Sequence, residues 1–166
     1  MQQGTKSALG LAAFLGITFA TTATAMWLSG PMPNSWYQTL KKPVFTPPPY
    51  IFPLVWTLLY ILMSLAAWLV WRQRTASGAG AESGVRLALA VYFLQLLLNM
   101  LWAPLFFGLH SLPLAMLDCV LLLAGVMLAS RLFFDVSALA GWLMLPYLCW
   151  TGFATLLTMS LWRMNA

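Results

Sequence analysis

The sequence predicts an all-α polytopic membrane protein, a single domain of five transmembrane helices spanning residues 1–166. Three observations carry that prediction. Of 166 residues, 62% are hydrophobic and 7% charged, whereas a soluble domain carries about 25% charged residues, so this chain cannot cover a water-facing surface. The apolar residues gather into long runs, over about residues 7–28, 50–71, 85–107, 114–134 and 138–162, and roughly 20 residues of helix cross a hydrocarbon layer about 30 Å thick. Backbone groups in lipid must be satisfied within the segment or in a closed barrel. The runs are far longer than the roughly 10-residue alternating strands of a barrel, which leaves helices.

The first run follows Lys6. One positive charge, an apolar stretch and Ala23-Thr24-Ala25 also fit a secretory signal peptide. The run continues through Met26, Trp27 and Leu28, which is the length of a span. Gly16, Ala20 and Thr24, four apart, form a small-residue stripe on which another helix could pack closely. Residues 29–49 then read as a stiff loop, because six of the ten prolines lie between Pro31 and Pro49 and proline resists helix formation. Carrying Trp36, Tyr37, Lys41, Lys42, Pro43 and Phe45, this loop is placed to act as a lid over one end of the bundle.

The second run places Phe52, Trp56, Tyr60 and Met63 on one helical face. It ends at Trp68, Trp71, Arg72 and Arg74, residues suited to a membrane interface. Residues 72–84 are small and polar and read as a solvent loop. The third run carries Tyr92, Gln95, Asn99, Trp102 and Phe106 at spacings of three, four, three and four, hence on one stripe. Amides inside a span are costly unless they face inward and find partners, so Gln95 and Asn99 read either as interhelical hydrogen-bond glue or as part of a site. His110, Ser111 and Pro113 mark a turn. The fourth run ends with Arg131 and Asp135, four apart and able to pair. The fifth carries Tyr147, Trp150, Phe153, Ala154 and Leu157, contains Pro146, and closes on Arg163. Gly84, Ala88 and Val91 lie near one stripe of the third helix and suggest a homodimer surface.

Five spans put the termini on opposite sides. One side holds Lys6, Arg72, Arg74, Arg86 and Arg131, the other Lys41, Lys42 and Arg163. The excess on the first side places the N-terminus in the cytoplasm.

Several function classes have no support. The net charge of +5 is dispersed, so no basic face gathers phosphates and nucleic-acid binding is not expected. Cys119 and Cys149 lie in apolar runs and read as small core-filling residues. No metal-ligand spacing is present. His110, the sole histidine, sits in a turn and is a poor candidate for haem ligation. No nucleophile–base pair or phosphate loop is visible. Asp118 is the one acid well inside a span; it reads as an interfacial or ion-paired residue, with Lys41, Lys42 or His110 as partner, or as a ligand or proton contact. What remains is an apolar pocket with a few polar groups, built from three helices that each bring a tryptophan.

The runs WYxxLxKPxxxPP at residues 36–48, FPxVWTxLYxxM at 52–63, YxxQLxxNxxWxPLFFG at 92–108, and PYxxWxxFA at 146–154 with WRxN at 162–165 together resemble the tryptophan-rich sensory protein, or translocator protein, family. Its mammalian members are also called peripheral-type benzodiazepine receptors. The resemblance covers nearly the whole chain, least clearly the first helix and second loop. It implies a five-helix bundle, commonly dimeric, with the first helix retained. It further implies a receptor or sensor binding protoporphyrin IX, haem, isoquinoline carboxamides or benzodiazepines, with no cofactor required and porphyrin or haem as ligand. By position, Trp56, Tyr60, Asn99, Trp102, Phe106, Tyr147, Trp150, Phe153 and Ala154 would line the pocket under the lid. Trp56 and Trp150 match tryptophans implicated in light- and oxygen-dependent porphyrin degradation, so catalysis is one alternative and transport of an apolar solute another. No inverted repeat or broken helix pair supports transport. Leu157-Thr158 stands where the family often has Leu-Asn, and ATLLTMSLWRMN lacks the tyrosine of the animal cholesterol motif. Short ends without a transit-like segment suggest a bacterial cell membrane.

Overall fold

In the computed structural model the described residues are 2–30, 35–75 and 79–166, with side chains described for all of these except 2–5, 75 and 79–81. Pro31 and Pro33 of the proline-rich loop, and residues 76–78 of the second loop, lie outside them. The elements are α1 (Gln2–Ser29), α2 (Ser35–Thr39), α3 (Ile51–Arg72), a 3₁₀ turn (Gln73–Thr75), α4 (Ala79–Ala103), a π turn (Pro104–Gly108), α5 (Leu112–Val136) and α6 (Ala138–Asn165). Five of these helices are long and apolar enough to cross a membrane, and among the described residues there is no strand. The protein is a multi-pass membrane protein.

Two prolines sit where helices tolerate them, while Pro146 lies inside α6. Pro53 and Pro113 fall in the first turns of α3 and α5, where a missing N–H leaves no bond unmade. Pro104 instead interrupts a running helix. The ladder widens there, Leu109 N donating to Pro104 O at 2.8 Å and Ser111 N to Leu105 O at 3.1 Å. The chain then reverses through His110, whose φ is +52°. Between α5 and α6 a single extended residue suffices. Ser137 N donates to Phe133 O at 2.7 Å, and its side chain accepts from Ala140 N at 3.5 Å, so one serine ends α5 and caps α6.

The helices close into a ring in the order α1, α3, α6, α5, α4, each packed on its two neighbours. At the arginine-bearing end the ring is filled. Ala66 and Ala67 of α3, Ala88 of α4, Ala129 of α5 and Ala140 of α6 are fully buried, and such small residues let helices approach closely in lipid. Met63, Tyr92, Phe133 and Met144 fill the remaining space. Toward the other end the filling stops, and a second cluster of Phe106, Leu112, Ala115, Leu157 and Leu161 lies beside the loop residues Trp36, Tyr37 and Leu40.

Several expectations are corrected. The predicted loop 72–84 is a 3₁₀ turn followed by helix from Ala79; alanines and Glu82 favour helix, which can project beyond the hydrocarbon. The predicted lid holds one short helix, α2, despite its prolines, because residues 35–39 contain none. The stripe Gly16, Ala20, Thr24 faces out of the bundle, while Phe14, Thr18, Ala25 and Ser29 are the buried face of α1. That face is fixed by a buried hydrogen bond of 2.8 Å between the Thr18 and Tyr92 hydroxyls and by Ser64 Oγ donating to Thr18 Oγ1 at 3.0 Å. Ala88 and Val91, read as a dimer surface, are buried inside the protomer. Cys149 is exposed rather than core-filling, while Cys119 is buried. Arg131 and Asp135 pair at 3.2 Å as expected, an exposed contact worth about 0.3–0.5 kcal/mol.

Candidate functional site

The unfilled end of the ring encloses a cavity of about 680 Å³, within the usual range of ligand pockets. All five long helices line it. Trp56, Tyr60, Asn99, Trp102, Phe106, Trp150 and Ala154 of the predicted set face it. Of the predicted lid, Tyr37 lines it; Trp36, Lys42, Pro43 and Phe45 do not, although Pro47 and Pro49 of the same loop do. Tyr147 and Phe153 are also outside the lining. Tyr147 is fully buried behind the cavity, and Phe153 packs on Trp150 at 5.4 Å and on Phe45 at 6.3 Å between ring centroids.

The cavity floor is a hydrogen-bonded chain. Tyr60 Oη donates to Asn99 Oδ1 at 3.2 Å, Asn99 Nδ2 donates to Tyr147 Oη at 3.1 Å, and Tyr147 Oη donates to Gln95 Oε1 at 2.9 Å. Three helices are thereby joined at one level, α3, α4 and α6. Gln95 is fully buried and serves as interhelical glue, whereas Asn99 both belongs to the chain and faces the cavity. The four-three spacing of Gln95, Asn99 and Trp102 lets one helical stripe meet the floor and then the cavity wall.

Above the floor the walls are aromatic. Trp56 stacks on Tyr60 at 5.3 Å with 29° between planes, and meets Trp150 edge-on at 6.5 Å and 87°. Phe52 meets Trp150 at 5.9 Å, and Trp102 stacks on Phe106 at 5.0 Å. The Trp150 Nε1 is buried without a hydrogen-bond partner. A buried indole N–H usually finds an acceptor; this one has none, and neither has that of Trp102. Polar contributions are otherwise few: Thr22, Thr57, Thr151, Thr158 and Cys119, whose Sγ donates to Thr158 Oγ1 at 3.5 Å. The departure Leu157-Thr158 thus places a hydroxyl at the wall.

The loop is held shut from both ends of the chain's fold. Lys41 N donates to Asn165 Oδ1 at 2.9 Å, and Asn165 Nδ2 donates back to Lys41 O at 2.9 Å. Trp36 stacks on His110 at 4.5 Å and meets Phe106 edge-on at 5.5 Å, which explains His110 as a packing residue of the turn. Lys42 Nζ lies 4.6 Å over the Tyr37 ring. Partial burial pushes the Tyr37 phenol above its ordinary value of 10.0, since desolvation disfavours the phenolate.

Asp118 is buried on α5, and its Oδ2 has no hydrogen-bond partner. The pairing with Lys41, Lys42 or His110 is not formed; Arg131–Asp135 is the ion pair among the described residues. Among those residues no cluster of His, Cys, Asp and Glu could hold a metal.

Sequence reasoning missed every lining residue of α1 and α5. Phe19, Thr22 and Met26 come from α1, Cys119 and Leu122 from α5. Thr18 and Thr22, four apart on an apolar helix, were the available signal on α1. No signal distinguishes Leu122 from any other leucine.

The sequence profile of the TspO/MBR family matches residues 8–163 of this chain, α1 included. Protein CrtK of Rhodobacter capsulatus is 42% identical over 134 residues, 80% of each chain. Tryptophan-rich protein TspO of Chlorobaculum tepidum is 36% identical over 162 residues, 96% of this chain and 98% of its own. Translocator protein of Homo sapiens is 36% identical over 130 residues, 78% of this chain and 75% of its own. With a match across nearly its whole length and a five-helix ring around an aromatic cavity, the chain belongs to the TspO/MBR family.

Proposed function

We propose that the protein is a membrane receptor or sensor that binds a tetrapyrrole, protoporphyrin IX or haem, in the aromatic cavity beneath the 29–49 loop. One observation carries the reading: about 680 Å³ of space is walled by Trp56, Trp102 and Trp150 and floored by the Asn99 side chain. A flat, largely apolar macrocycle stacks favourably on such rings. Lys42 lies over Tyr37 at the loop side, where a cation suits propionate groups. Isoquinoline carboxamides and benzodiazepines are smaller aromatic, largely apolar ligands that suit the same walls. The bacterial cell membrane and a homodimeric state belong to the same proposal. The first is supported by the bacterial relatives, and the second rests on the family likeness, because the Ala88 stripe is consumed inside the protomer.

Protoporphyrin IX titrated into the detergent-solubilised protein should quench tryptophan fluorescence. Trp150→Ala should weaken binding about fivefold, the loss of one aromatic contact. Absence of quenching at micromolar ligand would refute the reading. Porphyrin breakdown is the second reading, favoured by the Trp56–Trp150 edge contact at the cavity. Illumination in air separates the two: a new absorbing product that Trp56→Phe abolishes means catalysis, and an unchanged spectrum means binding alone.

A further inference from the structure

A second apolar feature lies at the opposite end of the bundle, on its outer face. A groove of about 160 Å³ runs between α1, α3 and α4, lined by Gly10, Ala13, Phe14, Ile17, Trp71 and Phe93. It is well below the roughly 300 Å³ at which small-molecule pockets begin, and it is long rather than round, following α1 for two turns. Ile17 and Phe93 are 43% and 40% exposed, so the groove opens onto lipid. Gly10 makes its deep end: a Cβ there would lie 2.7 Å from the Trp71 ring.

Each wall of this groove carries a cation toward the membrane surface. Lys6 is one turn before Gly10 on the same α1 stripe, and Arg86 is two turns before Phe93 on the same α4 stripe. Arg74 leaves the end of α3 with its guanidinium 4.1 Å over the Trp71 ring. All three cations are exposed. The bundle end as a whole bears Lys6, Arg72, Arg74, Arg86 and Arg131 against Glu82 and Asp135, and Asp135 is already paired with Arg131. We infer that this groove is a docking site for an anionic phospholipid, one acyl chain lying along Gly10, Ala13 and Ile17 and the phosphate held by Lys6, Arg74 and Arg86. The cationic rim favours an anionic headgroup over a second copy of the chain in this place. A parallel partner in the bilayer would bring its own three cations to the same level, and like charges repel.

The test is lipid retention in native mass spectrometry of the whole protein in mild detergent, with phosphatidylglycerol and phosphatidylcholine in equal amounts. Each basic residue near an anionic headgroup contributes a factor of about five. With three such residues the wild type should retain phosphatidylglycerol on the order of a hundredfold over phosphatidylcholine, and Arg74→Gln with Arg86→Gln should cut that preference about 25-fold, leaving the share of Lys6. Arg131→Gln removes one charge from the same end on α5, which does not border the groove, and should leave the preference unchanged. Ala13→Phe, at a lipid-exposed position, fills the groove and should lower retention of both lipids. Equal retention by the wild type overturns the inference. So does a preference that the double arginine variant leaves unreduced, or one that Arg131→Gln reduces as much. A change of oligomeric state by Ala13→Phe without loss of lipid would assign the groove to a second copy instead. Should Ala13→Phe not fold, the surface arginine variants decide alone.

Discussion

Tyr147 touches no part of the cavity surface, yet it holds the floor together, and Tyr147→Phe isolates that role. The substitution removes one oxygen from a fully buried ring and leaves the packing volume almost unchanged. The lost oxygen accepts from Asn99 Nδ2 at 3.1 Å and donates to Gln95 Oε1 at 2.9 Å. Interhelical side-chain bonds in membrane proteins are worth about 0.6 kcal/mol on average and about 1.7 at most. Two of them give roughly 1.2 kcal/mol as the central expectation. Gln95 Nε2 is already without a partner, so the variant leaves the Gln95 amide without one at either end. An additional buried unsatisfied group costs about 1–3 kcal/mol, which sets the upper end of the total near 3 kcal/mol. Reversible unfolding in mixed detergent micelles should therefore show a loss of about 1–3 kcal/mol. Asn99→Leu cuts the same chain, so the double variant should be less destabilised than the two single losses together. A Tyr147→Phe stability within about 0.3 kcal/mol of wild type, or strict additivity with Asn99→Leu, would show that the floor is not a coupled network.

Three further outcomes follow from the geometry. Asn165→Ala removes both bonds to the Lys41 backbone, each worth about 0.5–1.5 kcal/mol; amide exchange in residues 36–46 should accelerate about tenfold while that of α5 stays unchanged. Gly141→Ala places a Cβ into the Phe134 ring and should cost about 1–3 kcal/mol, whereas Gly16→Ala, with open space around it, should be neutral or stabilising by up to about 1 kcal/mol; equal effects in the same unfolding assay would contradict the close α5–α6 approach. Because partial burial raises the Tyr37 phenol above 10.0, the unfolded chain releases that proton first as pH rises, so the contribution of Tyr37 to the closed loop is full below pH 10 and falls above it. Tyr37→Phe should remove that part of the alkaline loss and one late-titrating phenolate from the absorbance titration.

The resemblance read from four motifs and the membrane class read from composition rest on local information, and both hold. Helix existence was equally legible, since each span satisfies its own backbone bonds. Helix ends were less so: small polar residues before Val85 support loop and helix alike, and only their continuity with α4 decides. The aromatic stripe on α4 and the Trp56–Tyr60 pair were visible from spacing, because a residue on a helix cannot leave its face.

The sequence by itself determined which residues lie in lipid-spanning helices and which faces of α3, α4 and α6 carry tryptophan, because hydrophobic length and a period of 3.6 residues are properties of one segment at a time. Only the tertiary structure decided that the helices close in the order α1, α3, α6, α5, α4, that Tyr147 supports the cavity from behind while Ala154 lines it, and that α1 packs through Thr18 rather than through Gly16. The reason is that lipid is as apolar as leucine. A buried leucine and a lipid-facing leucine have the same local chemistry, so side-chain hydrogen bonds and close-packed shapes between distant segments choose the inward faces.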